Sequence, residues 1–212
     1  MHKKTIINWI ILLILSIIWG SSFILMKKGL EGFNYLEVSS FRLIIAFIIL
    51  SPFLISSLEN MKSEYVLPIL VVSIIGTVIP AILFALGQTY LNSSTAGMLN
   101  SLTPIFTLII GIAFFQKLWN KVSIIGILIG LIGSYILMAP SSLTTLNNGY
   151  GLLIILATMC YAISINTIKD KLQDLSPIDI AVSSCFISFM IQSVAFALFS
   201  MPFPALYVWC LS

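Results

Sequence analysis

Long apolar runs follow one another along almost the whole chain, and short polar turns separate them. A helix needs about 20 apolar residues to cross the hydrocarbon core of a bilayer. Within that core, only helices and closed barrels pair all of their backbone hydrogen-bonding groups. The pattern therefore predicts an all-α polytopic membrane protein, whose short connections make neighbouring helices antiparallel. Seven spans are predicted, at Thr5–Met26, Leu36–Ser57, Tyr65–Leu86, Ser94–Phe115, Val122–Met138, Gly151–Ile168 and Ile178–Phe199.

The scarcity of charge supports the same class. Hydrophobic residues make up 59% of the 212 positions and charged residues 8%, whereas soluble domains carry about 25% charged residues. The net charge of +3 arises from scattered Lys and Arg side chains, a distribution that favours no nucleic-acid partner. Cys160, Cys185 and Cys210 lie in apolar runs and are predicted to be buried hydrophobes. With His2 as the only histidine, the sequence predicts no metal site, no cofactor and no catalytic residue.

The chain is predicted to be a multi-pass protein of the cell membrane with its N terminus in the cytoplasm. Its first residues resemble a secretory signal, but the apolar run continues to Met26 and is long enough to span the membrane. Cytoplasmic loops carry an excess of Lys and Arg. With the N terminus inside, two lysines lie outside (Lys27 and Lys28) and seven lie inside: Lys3, Lys4, Lys62, Lys117, Lys121, Lys169 and Lys171.

An internal repeat becomes visible when the chain is shifted by 142 residues, so that residues 10–50 fall on 152–192. Five helices separate the matched copies, and this odd number makes the second copy run opposite to the first. Inverted repeats of this kind are the architecture of many secondary transporters. The informative matches pair Trp19 with Tyr161, Ser22 with Ser164, Lys27 with Lys169 and Glu37 with Asp179.

The repeat divides the chain into a five-helix unit at 1–140 and part of a second unit at 149–212. An eighth segment begins at Pro204 and reaches Ser212, nine residues later. Nine helical residues cover about 13 Å, less than half of the hydrocarbon core. We therefore expect a chain that is cut short within its second repeat.

Several short motifs accompany this repeat. Helix one contains Trp19-Gly20-Ser21-Ser22-Phe23 followed by Lys27, and helix two contains Phe41-Arg42-Leu43. Helices four and five contain Ser94-Thr95-Ala96-Gly97, Leu102-Thr103-Pro104-Ile105-Phe106, Gly126 and Gly133. Together these motifs resemble EamA-type transporters of the drug/metabolite transporter superfamily, and the resemblance covers nearly the whole chain.

The resemblance implies ten helices arranged as five plus five, with both ends cytoplasmic and an activity in exporting amino acids, metabolites or drugs. The chain departs from the family where Gln116-Lys117 follow helix four, because the family usually has a glutamate there. Helix one also lacks the glutamate on which the small multidrug-resistance relatives depend, which argues against that subgroup.

Candidate substrate-contacting residues lie on the two helices that the repeat matches. Trp19 and Ser22 share one face of helix one, with Phe23 beside them, and the repeat places Tyr161 and Ser164 at the equivalent positions of helix six. Inverted symmetry would bring the two faces together near the midplane, where they would line a central cavity. The alternative is ordinary packing between helices by small and aromatic residues.

Other candidates are polar or charged groups inside the spans. Arg42 either snorkels outward to pair with Glu37 or Glu31, or attracts anions at the external mouth. Pro104 removes a helical donor and is predicted to leave the carbonyl of Asn100 unpaired beside an amide side chain. Gln88 and Asn166 are two further candidates for the cavity wall. Gly126, Gly130 and Gly133 form a smooth face of helix five, which is predicted to contact another helix or a second copy in a homodimer.

Three functions compete. A secondary transporter, with a small-molecule substrate and the lipid bilayer as its partners, agrees with the inverted repeat and the proline-interrupted helices. A membrane-embedded enzyme would need a histidine motif or paired intramembrane carboxylates, which the sequence lacks. A non-transporting assembly subunit, or an inactive fragment, remains the third reading because the second repeat is incomplete. Because Glu37 and Asp179 lie at helix ends and the other carboxylates lie in loops, the sequence shows no carboxylate deep within the membrane, and the coupling ion is not defined.

Overall fold

The computed structural model of the protein describes residues 2–117, 120–138 and 149–199. These residues form helices joined by short turns, and no strand occurs among them. Six segments are long and apolar enough to cross a membrane, and a seventh helix of 18 residues has a length of about 27 Å. The predicted all-α polytopic class is therefore confirmed. We label the segments α1 (His2–Gly29), α2 (Tyr35–Glu59), α3 (Ser63–Tyr90), α4 (Ser93–Phe115), α5 (Lys121–Met138), α6 (Tyr150–Lys171) and α7 (Pro177–Phe199).

Each predicted span falls inside one of these helices, and local polar chemistry sets several of their ends. The start of α2 is an example. The Asn34 side chain accepts hydrogen bonds from the backbone N–H groups of Leu36 and Glu37, and the Glu37 carboxylate accepts one from the Asn34 N–H at 2.8 Å. This reciprocal cap satisfies donors that a helix start otherwise leaves unpaired. The predicted eighth segment from Pro204 lies outside the described residues.

Three helices are interrupted at or near a proline. In α2 a short 3₁₀ turn spans Ser51–Phe53, and in α3 a π-helical turn spans Ile74–Val78, just before Pro80. The clearest interruption divides α4 into Ser93–Asn100 and Thr103–Phe115, with Pro104 in the first turn of the second segment. Proline lacks an N–H and clashes with the preceding turn, so regular α-helical pairing stops near it.

α6 lies at the centre of the bundle, where it packs against α3 and the second segment of α4. Glycines on its neighbours make this close approach possible. A Cβ at Gly76 would overlap the Ser164 side chain, and one at Gly87 would stand 2.9 Å from the Ile154 side chain. The two backbones can therefore approach each other only because these positions carry no side chain.

α7 packs antiparallel against α2, and equivalent positions of the predicted repeat meet across this pair. The rings of Phe47 and Phe189 stack with centroids 4.5 Å apart, and the Cys185 Sγ lies 4.0 Å from the Leu43 carbonyl oxygen. Both pairs are separated by the 142-residue offset of the repeat. A two-fold axis in the membrane plane would produce this arrangement, while the division into repeats at 1–140 and 149–212 stays a prediction.

α1 and α5 form the periphery of the described bundle. Large apolar side chains are exposed along most of α1, in keeping with a surface that faces lipid. On α5, no atom of another helix lies within 4 Å of a Cβ built at any of the three predicted packing glycines. Gly126, Gly130 and Gly133 therefore make no close contact with another helix of the described chain. Their contact with a further helix or with a second copy stays a prediction.

Candidate functional site

A cavity of about 880 Å³ lies within the bundle and is lined by side chains of six helices, α1 to α6. Its volume is in the range of small-molecule sites, about 300–1,000 Å³. Eight of the ten predicted cavity residues line it, so the structure brings most of that set together. They are Trp19, Ser22, Phe23, Arg42, Asn100, Pro104, Tyr161 and Asn166.

Aromatic rings form one wall of the cavity. Phe84 of α3 stands between the two predicted faces, with ring centroids 5.8 Å from Phe23 on α1 and 5.8 Å from Tyr161 on α6. Phe84 is buried, whereas Trp19 at the edge of the cavity remains 70% exposed. Sequence reasoning missed Phe84 because an apolar residue in an apolar span carries no signal of its own.

The interruption of α4 supplies the main polar stretch of the wall, which includes Asn100, Ser101, Thr103 and Thr107. The Thr103 hydroxyl donates to the Asn100 carbonyl at 2.7 Å, and the Thr107 hydroxyl donates to the Thr103 carbonyl at 2.8 Å. The prediction of an unpaired Asn100 carbonyl is therefore wrong, because a nearby hydroxyl replaces the N–H that Pro104 lacks. The half-buried amide of Asn100 remains on the cavity wall.

Asn166 connects α6 to this stretch of α4. Its side-chain N–H₂ group donates to the carbonyls of Thr107, at 2.9 Å, and Ala162, at 3.0 Å. Its carbonyl oxygen lies against Gly111, where an added Cβ would stand 2.9 Å away. Asn166 is almost completely buried, so it holds the second segment of α4 against α6 at the edge of the cavity.

Two predicted cavity residues lie elsewhere. Ser164 faces Gly76 of α3 and does not line the cavity. Gln88 is completely buried near the end of α3, and its side-chain nitrogen and oxygen have no hydrogen-bond partner among the described residues. The backbone carbonyl of Gln88 accepts from the Lys27 ammonium group at 2.7 Å, so α1 is fastened to the end of α3 there.

Among the described residues, three basic side chains line the cavity, namely Arg42, Lys117 and Lys169, and no acidic one does. Within the described part of the chain, Arg42 forms no ion pair with Glu31 or Glu37. The Glu37 carboxylate instead caps α2. Sequence reasoning used Lys117 for orientation and family comparison, and Lys169 for orientation and the repeat, although the position of both at helix ends beside the spans was already visible.

Among the residues that the structure describes, no three His, Cys, Asp or Glu side chains come together as a group that could hold a metal ion. The polar groups available at the cavity are thus hydroxyls, amides, one guanidinium group and two ammonium groups. Such groups can bind and orient a small molecule by hydrogen bonds and charge.

Comparison with known proteins gives a consistent result. The sequence profile of the EamA-like transporter family matches residues 7–139. An uncharacterized transporter of Archaeoglobus fulgidus is 26% identical over 172 residues, which cover 81% of this chain and 60% of the relative. An uncharacterized transporter of Buchnera aphidicola subsp. Schizaphis graminum is 28% identical over 140 residues, 62% of this chain and 44% of the relative. The chain thus spans only part of the length of these relatives, and no solved structure matches it significantly.

Proposed function

Because the chain belongs to the EamA-like transporter family, a group within the drug/metabolite transporter superfamily, we propose that it exports small metabolites or amino acids across the cell membrane by alternating access. The single observation that carries the proposal is the cavity of about 880 Å³ inside a bundle of membrane-crossing helices. A compartment of this size, with an aromatic wall and a polar wall, suits a small amphipathic solute better than a lipid tail or an ion alone.

The position of the cavity supports the proposed mechanism. It lies between α1 and α6, the helices that the inverted repeat matches, and both contribute mid-helix side chains to it. Trp19 comes from α1 and Tyr161 from α6. A site between two inverted copies can open to either side in turn when one copy moves relative to the other.

The proposed orientation has the N terminus in the cytoplasm, and the distribution of lysines between the loops supports it. Labelling of single cysteines by a membrane-impermeant reagent in intact cells tests this orientation. A cysteine introduced at Asn34 should react, and one introduced at Lys62 should not. The reverse pattern would refute the orientation.

Flux measurements in vesicles test the activity itself. The purified protein is reconstituted and assayed with a panel of amino acids and small organic acids. A protein that catalyses no flux across a broad panel would contradict transport and favour a non-transporting assembly subunit. Such an outcome would also leave the family assignment intact, since that rests on sequence.

Replacement of the aromatic side chains tests the role of the cavity. Tyr161→Ala should lower flux about tenfold, equivalent to about 1.4 kcal/mol, because a half-buried ring that packs on Phe84 is lost. Trp19→Ala should lower flux less, because that ring is 70% exposed. Trp9→Ala on the lipid-facing surface of the same helix is the matched control. Unchanged flux in both cavity variants, at equal expression, would remove this cavity from the mechanism.

A further inference from the structure

We propose that the cavity selects monoanionic organic acids, in which one carboxylate is attached to an aromatic or branched apolar body. The proposal rests on the proposed function, since it names the class of solute that the same cavity takes. Its basis is the distribution of charge on the cavity wall, which is independent of the family match. It narrows the expected substrates, because it disfavours amines and zwitterionic amino acids.

The wall carries an unbalanced positive charge. Of the lining residues that the structure describes, Arg42, Lys117 and Lys169 are basic and none is Asp or Glu, so this part of the wall contributes three positive charges and no negative one. The described residues provide no ion pair to any of the three. A wall of one charge sign attracts an anion and repels a cation, and salt reduces this effect where the basic side chains are exposed.

The basic groups are placed toward both ends of the cavity. Arg42 lies about 10 Å along α2 from its first residue, Tyr35. Lys117 lies two residues after Phe115, the last residue of α4, and Lys169 lies in the last turn of α6. Because α2, α4 and α6 all begin on the same side of the membrane, Arg42 lies toward that side and the two lysines lie at the other. A carboxylate would meet a positive group whichever side it enters from.

The middle of the cavity suits an apolar body. Phe23, Phe84 and Tyr161 form its aromatic wall, and aliphatic side chains of α4 and α5 contribute further apolar surface. From the described lining residues, an amino group attached to the same body would meet hydroxyl, amide and carbonyl oxygens, such as those of Ser22 and Asn100, and no carboxylate. Removing an ammonium group from water without a carboxylate partner is costly.

Other lysines of the chain do have a carboxylate nearby and lie away from the cavity. Lys62 stands 3.7 Å from the Glu64 carboxylate, and Lys171 stands 3.2 Å from that of Asp170. Neither lines the cavity. Lys171 is only two residues from Lys169 on the same helix end, so the two positions form a natural comparison between a cavity lysine and a surface lysine.

The experiment measures binding of three probes that share one apolar body: phenylacetate, 2-phenylethanol and phenethylamine. At pH 7 they carry charges of −1, 0 and +1. Binding to the purified protein in lipid nanodiscs is measured by calorimetry at physiological salt. Because Arg42 and Lys169 are exposed and Lys117 is half-buried, we expect each basic group to favour the anion by roughly three- to tenfold. Equal binding of the three probes, or tightest binding of the amine, would overturn the proposal.

Paired variants assign the preference to the cavity. The Lys117→Gln/Lys169→Gln double variant should lower phenylacetate affinity at least about tenfold, from the loss of two nearby charges, and leave 2-phenylethanol unaffected. The matched control, Lys62→Gln/Lys171→Gln, removes the same total charge and should leave all three affinities unchanged. An equal loss in both double variants would overturn the proposal by assigning the preference to surface charge. Arg42→Lys, which keeps the charge, should retain the anion preference that Arg42→Gln weakens.

Binding and flux together separate this proposal from the proposed function. Anion-selective binding without any flux would overturn transport and retain the site. Flux of amines or neutral solutes, with no phenylacetate binding, would overturn anion selection and retain transport. Circular dichroism and gel filtration confirm folding of each variant before binding is measured.

Discussion

α1 and α6 occupy matching positions in the predicted repeat, yet their surroundings in the structure are opposite. In the apolar stretch of α1 that could cross the membrane, 6% of the residues are buried, compared with 44% in the corresponding stretch of α6. α6 packs against α3 and α4 through glycine-sized gaps, whereas α1 has much weaker contacts with its neighbours. The comparison teaches that a repeated sequence pattern specifies which face of a helix is polar, while the neighbouring helices decide whether that face is buried.

The largest expected difference is in stability, when one methyl group is added at the contact surface of α6 or on α1. Gly76→Ala should lower the free energy of unfolding by about 1–3 kcal/mol, because the new Cβ overlaps the Ser164 side chain on α6. Gly20→Ala on α1 should be neutral or slightly stabilising, since nothing lies within 4 Å of its Cβ and alanine favours helix. Thermal unfolding in detergent measures both. Equal shifts in melting temperature would mean that α6 is not closely packed against α3.

A smaller effect is expected from a buried hydrogen bond. Asn166→Ala should cost about 1 kcal/mol, because two donated hydrogen bonds are lost, one of them to the Thr107 carbonyl across helices. The control is Asn8→Ala on the exposed surface of α1, which should change stability by less than about 0.5 kcal/mol. If both substitutions had the same effect on denaturant unfolding, Asn166 would contribute nothing to holding α4 and α6 together.

The smallest expected effect concerns Lys27, whose charged side chain holds α1 against the end of α3. The Lys27 ammonium group donates to the Gln88 carbonyl at 2.7 Å and approaches the Thr89 carbonyl at 3.3 Å, at the C-terminal end of α3. Lys27→Met should cost roughly 0.3–1 kcal/mol, the usual value of a cation at a helix C terminus. Its exposed neighbour provides the control, since Lys28→Met should have no measurable effect on thermal unfolding. A loss of stability in the control variant alone would contradict this assignment.

Much of the fold could be predicted from hydropathy and turn residues, because the length of an apolar run and the need to pair every backbone group leave few alternatives in a bilayer. The interruption of α4 could also be predicted from Pro104. The partner of the Asn100 carbonyl could not, since it depends on the rotamer of Thr103.

The candidate site could be predicted less completely, and Ser164 shows why. It lies three positions after Tyr161, which places it about 60° to one side around α6, whereas the lining residues Ile165 and Lys169 fall on the other side. The repeat therefore identifies the side of a helix that faces the cavity only to within about 60° around the helix axis. Lys169 illustrates the same limit, because its repeat partner Lys27 binds the end of α3 and does not line the cavity.

The division of α4 has a mechanical consequence. At Ser101 and Leu102 the backbone N–H groups bond to carbonyls three residues back, so the regular ladder is already interrupted. The segment that follows, Thr103–Phe115, is bonded to α6 through Asn166, whereas the preceding segment also contacts α1. A change of angle between the two segments breaks no regular α-helical bond, so the bending stiffness of α4 is lowest at this point. The most compliant point of α4 therefore lies directly on the wall of the cavity.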